Sequence, residues 1–174
     1  MRCALPPAGA STGRARSELA AGLWSARLSY PTPRKSAMPF RTSRVILFGD
    51  CDPGGVVYTP RVAHFVVEAG LAFLSQVLGG PAARRLFDMG ILPPARALSI
   101  EFLHPMTWDE VIDIEVSVER VGEHSFTMAV GAANAEGTGT FRGTITQVTV
   151  SPQTLRPVPL PIELRAALEK TLSG

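Results

Sequence analysis

The stretch TPRVAHFVVEAGLAFLSQVL, residues 59–78, decides the fold. Apolar side chains at Val62, Phe65, Val66, Ala69, Phe73 and Val77 follow the 3.6-residue rhythm of one helical face, which Val67, Leu71 and Leu74 widen. A helix apolar over most of its circumference is expected to be buried. Thr59 is expected to cap its N-terminus, with Pro60 at the first helical position, where a missing N–H is tolerated. At about 1.5 Å per residue such a helix nearly spans a bilayer. His64, Glu68, Ser75 and Gln76 interrupt it, so no membrane span is expected.

Strands surround this helix. Upstream, Arg44 to Phe48 reads as a strand that must end at the turn cluster Gly49 to Gly55. Downstream, after Gly79-Gly80-Pro81, a short amphipathic piece runs from Ala82 to Met89. Asp109 to Arg120 then alternates cleanly, with Ile112, Ile114, Val116 and Val118 on one face and Asp113, Glu115, Ser117 and Glu119 on the other. That is the pattern of a half-buried antiparallel strand. Weaker alternation marks Ala97 to Leu103, Ser125 to Ala132 and Gly139 to Val150, and the connections at residues 122–124 and 135–137 are short enough for hairpins. Pro161 to Leu172 reads as a terminal helix. The order predicts an α+β domain in which one sheet wraps one long helix.

Of the 174 residues 45% are hydrophobic and 18% charged, a composition with a real core and far from that of disordered chains. The net charge of +2 is unevenly placed. Residues 1–40 hold six basic side chains against Glu18 alone, which makes +5, while the other 134 residues hold 11 basic against 14 acidic, which makes −3. A nucleic-acid partner would need a basic stripe on the folded part, and none is visible. The first forty residues, with five prolines and little apolar rhythm, read as a leader outside the domain of 41–174: an organelle transit peptide, a flexible tail, or an extension upstream of a true start at Met38. Cys3 and Cys51 make no disulfide framework, so a cytoplasmic protein is expected.

No phosphate-binding loop, dinucleotide fingerprint, CxxC or HExxH occurs, and His64, His104 and His124 lack metal-ligand spacing. Gly9 to Gly13 matches G-x-S-x-G without the strand that a nucleophile elbow requires. The informative cluster is Asp50-Cys51-Asp52-Pro53-Gly54-Gly55, followed within a few residues by the start of the long helix. A carboxylate in a rigid turn there faces the unpaired N–H groups and positive dipole end of a helix, which stabilise charge developing on a carbonyl oxygen. Aspartate is ionised at neutral pH and serves as nucleophile or general base, so the pair suits acyl transfer. The plainer alternative is a turn with Asp50 and Asp52 as solvated acceptors.

The run Phe48-Gly49-Asp50-Cys51-Asp52-Pro53-Gly54-Gly55-Val56-Val57-Tyr58, with Pro60 and an apolar helix behind it, resembles the signature of the 4-hydroxybenzoyl-CoA thioesterase family of hotdog-fold enzymes. The resemblance extends from about Arg41 to Val150. It implies a curled antiparallel sheet of about five strands around one helix, and hydrolysis of an acyl-CoA to free acid and CoA. The family's catalytic carboxylate falls on Asp52, as nucleophile or general base, and its carbonyl-polarising amide on Thr59 or the adjacent Tyr58. Gly54 and Gly55 would let the loop pass close to the acyl group. Some bacterial relatives carry a histidine after the tyrosine; Thr59 stands here, which points to the branch acting on aromatic acyl groups.

The resemblance also marks Glu68 as a second polar group near the site, one position from the family's acidic residue, with a rim carboxylate or a partner for His64 as the alternatives. Where relatives carry Lys or Arg for the CoA phosphates this chain has Glu123 and His124, leaving Arg120, Arg142 and Arg61 as substitutes. The implied assembly is a homodimer or homotetramer, with no metal and no cofactor beyond the CoA of the substrate. Rival readings are a thioesterase acting on acyl carrier protein and a non-catalytic acyl-CoA-binding hotdog.

Overall fold

The computed structural model describes residues 39–172. The leader, the start at Met38 and the Gly9 to Gly13 pattern lie outside them. Five strands, β1 (Phe40–Val45), β2 (Ala95–Phe102), β3 (Val111–Val121), β4 (Ser125–Asn134) and β5 (Gly139–Val148), form one antiparallel sheet in the order β1-β3-β4-β5-β2. Three helices accompany it: α1 (Thr59–Val77), α2 (Ala82–Asp88) and α3 (Ile162–Leu172). The expected α+β architecture, one curled sheet on one long helix, is what the chain adopts.

The alternation read in β3 is the seam of the core. Ile112, Ile114, Val116 and Val118 are buried, as are Phe126, Met128 and Val130 of β4 and Phe141 and Ile145 of β5. Helix α1 lies across β3, β4 and β5 and buries Val62, Phe65, Val66, Ala69, Phe73 and Leu74 against them. Each large apolar side chain among these contributes about 1.5–3 kcal/mol on burial. Helix and sheet approach closely at Gly70, where a Cβ would stand 2.9 Å from Met128 Cε. Helix α3 adds Leu164 and Leu168, both fully buried.

Three expectations are corrected. The first strand spans Phe40–Val45: Ile46 still exchanges backbone hydrogen bonds with Glu110 and Asp109 beyond the end of β3, and Phe48–Asp50 then forms a 3-10 turn. Leu47 and Phe48 are therefore exposed. Helix α1 is not buried over most of its circumference: Val67 and Leu71 face outward, since the sheet covers one side only. Its cap is Tyr58, which places Thr59 and Pro60 at the first and second helical positions, and no side chain caps the end.

Among the described residues β1 pairs with β3 alone and β2 with β5 alone, and β2 is exposed from Ala95 to Ser99, including Leu98. Gly143 of β5 lets β2 approach: a Cβ there would lie 2.1 Å from Ser99 O. Among the described residues no single helix is long and apolar enough to cross a membrane.

Candidate active site

The segment between the 3-10 turn and α1 folds as a small hairpin. Tyr58 N–H donates to Asp50 O at 2.9 Å, Cys51 bridges Val57, and Asp52 N–H donates to Val56 O at 2.9 Å. The turn closes through Gly55 N–H to Asp52 O at 2.9 Å, with Pro53 at its second position, as proline's fixed φ favours. Gly55 sits at φ +80°, a conformation that glycine adopts without strain.

Asp52 is half-buried at the root of this turn. Its Oδ1 accepts the Gly54 N–H at 2.7 Å, and its other carboxylate oxygen accepts no hydrogen bond from the described residues. One oxygen thus holds the side chain still while the other is available for chemistry. The hairpin's second arm runs straight into α1. There Tyr58 N–H is used by Asp50, Pro60 has no N–H, and Arg61 N–H donates to Tyr58 O at 2.7 Å. Thr59 N–H has no acceptor among the described residues and is the open donor of the helix start.

Asp50 is not a solvated acceptor; its side chain is 1% exposed. Oδ1 takes Arg61 Nε–H at 2.5 Å, and Oδ2 takes Leu47 N–H at 3.0 Å and faces an Arg44 amino group at 3.4 Å. Burial opposes its ionisation, but the Leu47 N–H, the Arg61 hydrogen bond and the two guanidinium charges together hold the carboxyl below its ordinary value. Arg44 lies 4.0 Å above the Phe65 ring and also pairs with Glu68. Cys51 is unsuited to act as a thiolate: burial, then the charges of Asp50 and Asp52, push its thiol up.

A second loop walls the turn. Val57 N–H donates to Met106 O at 2.9 Å, and Asp109, in the left-handed region at φ 65°, donates to Ile46 O at 2.9 Å. Between them Trp108 sets its ring against Gly55, 3.1 Å from where a Cβ would stand, and meets Phe48 edge-on with centroids 6.1 Å apart. Phe48, Tyr58 and Trp108 are all exposed, and the Phe48–Trp108 pair stands beside Gly55 of the Asp52 turn.

The structure brings together Asp52, Gly54, Gly55, Tyr58 and Thr59, with Arg61 in the same first helical turn, while the other expected CoA ligands lie on other elements. Arg120 lies toward the far end of β3, nine residue steps or about 30 Å along the strand from Val111, and His124 lies in the β3–β4 connection beyond it. Arg142 is held by Glu101 at 2.5 Å across the β5–β2 pair, and Arg61 is held by Asp50. Glu68 pairs with Arg44 of β1, not with His64. Trp108, Arg44 and the buried role of Asp50 escaped the sequence reading; a tryptophan in a turn was the one visible signal among them. Among the described residues no group of three or more His, Cys, Asp or Glu is placed to hold a metal ion.

A family model described as Thioesterase-like superfamily matches residues 46–168. No curated protein matches the chain. Several solved structures share the fold. A thioesterase superfamily protein from Jannaschia sp. CCS1 is 27% identical, over 83% of this chain and 99% of that one, with a TM-score of 0.72. A 1,4-dihydroxy-2-naphthoyl-CoA thioesterase from Synechocystis is 20% identical, over 75% and 96%, at 0.68. A mutant 4-hydroxybenzoyl CoA thioesterase complexed with 4-hydroxybenzoyl CoA is 20% identical, over 75% and 98%, at 0.68. At 20% identity the likeness is one of fold.

Proposed function

The chain belongs to the thioesterase-like superfamily, and from that membership we propose that it hydrolyses an acyl-CoA thioester with Asp52 as the reacting carboxylate and the Thr59 amide as the oxyanion donor. The observation that carries the reading is the division of labour within Asp52. One oxygen is fixed by Gly54 N–H and the other is unpartnered among the described residues, on a hairpin whose second arm ends at the open N–H of the α1 start.

The carboxylate either attacks the thioester carbon or takes the proton from the water that does. In both routes electrons move onto the carbonyl oxygen, where Thr59 N–H and the positive end of α1 meet them. The C–S bond then breaks, CoA leaves as thiol after protonation, and water supplies the second oxygen of the free acid. An attacking carboxylate passes through a mixed anhydride that water cleaves, restoring Asp52.

An aromatic acyl group is the class to try first. Phe48, Tyr58 and Trp108 supply flat apolar surface beside the turn, and two of the fold neighbours are named for aromatic acyl-CoA substrates. The open β2 edge supports pairing of two copies, which would protect its unpaired backbone groups. Such pairing is also the route by which His124 or Arg120 of one copy would approach the Asp52 of the other.

The test is hydrolysis of benzoyl-, phenylacetyl- and short aliphatic CoA thioesters by the wild type and by Asp52→Asn. Asparagine keeps the acceptor for Gly54 N–H, so the loop survives and the chemistry alone is removed. A loss of roughly 10²–10⁴ in kcat is expected, and equal activity of the two proteins would sink the assignment. Turnover of carrier-protein thioesters alone would move the substrate class.

A further inference from the structure

The hydrogen bonds around Asp50 close into a ring. Asp50 C=O accepts Tyr58 N–H at 2.9 Å, Tyr58 C=O accepts Arg61 N–H at 2.7 Å, and Arg61 Nε–H returns to Asp50 Oδ1 at 2.5 Å. The ring joins the 3-10 turn, the hairpin and the first turn of α1. Both peptide groups flanking Tyr58 are caught in it.

Its consequence for Thr59 follows from peptide planarity. Tyr58 C=O and Thr59 N–H belong to one trans peptide plane and point in opposite directions. Holding the carbonyl into the helix through Arg61 therefore aims the Thr59 N–H outward. We propose that Asp50 and Arg61 are positioning residues, whose side-chain pair fixes the peptide plane that presents Thr59 N–H to the substrate carbonyl. This deepens the acyl-CoA hydrolase reading and rests on it. Neither residue touches the substrate; each acts through the orientation of a backbone amide, where an error of about 1 Å costs up to about a hundredfold in rate.

Arg44 has a different part. It faces Asp50 Oδ2 at 3.4 Å and pairs with Glu68, so it compensates the buried charge without entering the ring. The ring partner Arg61 is more exposed than Asp50, its side chain at 37%, so its truncation leaves no large cavity.

The experiment compares the wild type, Arg61→Ala, Arg61→Lys, Asp50→Asn and the double variant Arg61→Ala with Asp50→Asn, in steady-state hydrolysis and in amide hydrogen exchange. Arg61→Ala is expected to lower kcat about tenfold or more with KM changed less than about twofold, the signature of an interaction felt in the transition state. Arg61→Lys should recover part of the loss. The double variant should lose little beyond the worse single one, since both break one ring. Exchange at the Tyr58 amide should quicken about tenfold while amides of β3 and β4 stay protected. An unchanged kcat in Arg61→Ala overturns the inference, as do losses that simply track melting temperature or add independently in the double variant. Should Asp50→Asn fail to fold, the kinetics and exchange of the two Arg61 variants decide between these outcomes. A wild type that hydrolyses no thioester sinks the functional reading itself, whereas a working wild type with an indifferent Arg61→Ala sinks only the ring.

Discussion

Gly54 donates its N–H to Asp52 Oδ1 at 2.7 Å, and a Cβ on Gly54 would stand 2.9 Å from that same oxygen. The contact that steadies the carboxylate thus leaves no room for a side chain. Gly54→Ala should push Asp52 off its present orientation, lowering kcat by about ten- to a hundredfold with little change in melting temperature, because Gly54 is exposed. Steady-state kinetics beside a thermal melt would check it, and full activity would show that the Gly54 bond does not set the reacting geometry.

Thr59 offers a way to delete a backbone donor without disturbing its helix. Proline is well tolerated at the first helical position, and Tyr58 before it already has the extended conformation, φ −60° and ψ 122°, that a following proline demands. Thr59→Pro should fold and lose roughly 10²–10³ in kcat, the usual worth of one oxyanion donor. Retained activity in a folded Thr59→Pro protein would remove that amide from the mechanism.

Acid should act on Asp50 in a definite direction. Its folded value lies below the ordinary aspartate value of about 3.9, so its contribution to stability is complete above that value and is lost as pH falls through the lower folded one. The gap in unfolding free energy between wild type and Asp50→Asn should be constant through neutral pH and narrow below about pH 4. Urea titrations at several pH values would show it, and a gap that widens in acid would contradict the sign.

Gly143→Ala tests the edge of the sheet. The added Cβ would meet Ser99 O at 2.1 Å and Ile100 Cα at 3.2 Å, both backbone atoms that cannot swing aside. The β2–β5 pairing must shift, and about 1–3 kcal/mol of stability should be lost, the usual cost of overpacking. Chemical denaturation measures it, and an unchanged midpoint would mean that β2 yields freely.

Helix α1 and β3 were legible because each carries a periodic pattern over ten residues or more, and periodicity records which face meets the core. The Asp52 turn was legible from Pro53, Gly54 and Gly55, whose backbone preferences are local. Asp50 was not, since its partners Arg44 and Arg61 come from a strand six residues before and a helix eleven residues after, and no local rule pairs them. Glu68 misled for the same reason: the i, i+4 rule sees His64 on its own helix but cannot see Arg44 across the gap to β1. The first strand was placed too late because Val45-Ile46-Leu47-Phe48 is apolar throughout, and composition alone does not reveal the 3-10 turn that begins at Phe48.

Pro60 has a stereochemical consequence. With no N–H at that residue and its neighbours' N–H groups engaged at Tyr58 and Arg61, a substrate carbonyl placed at the start of α1, as proposed, would meet one helix-end donor among the described residues. One donor fixes the direction of a C=O bond but not rotation about it, so which face of the thioester turns toward Asp52 depends on the grip on the two groups flanking the carbonyl. Acyl chains that fit loosely would still bind yet spend most of their bound time wrongly turned, and selectivity among acyl groups would then appear in kcat more than in affinity.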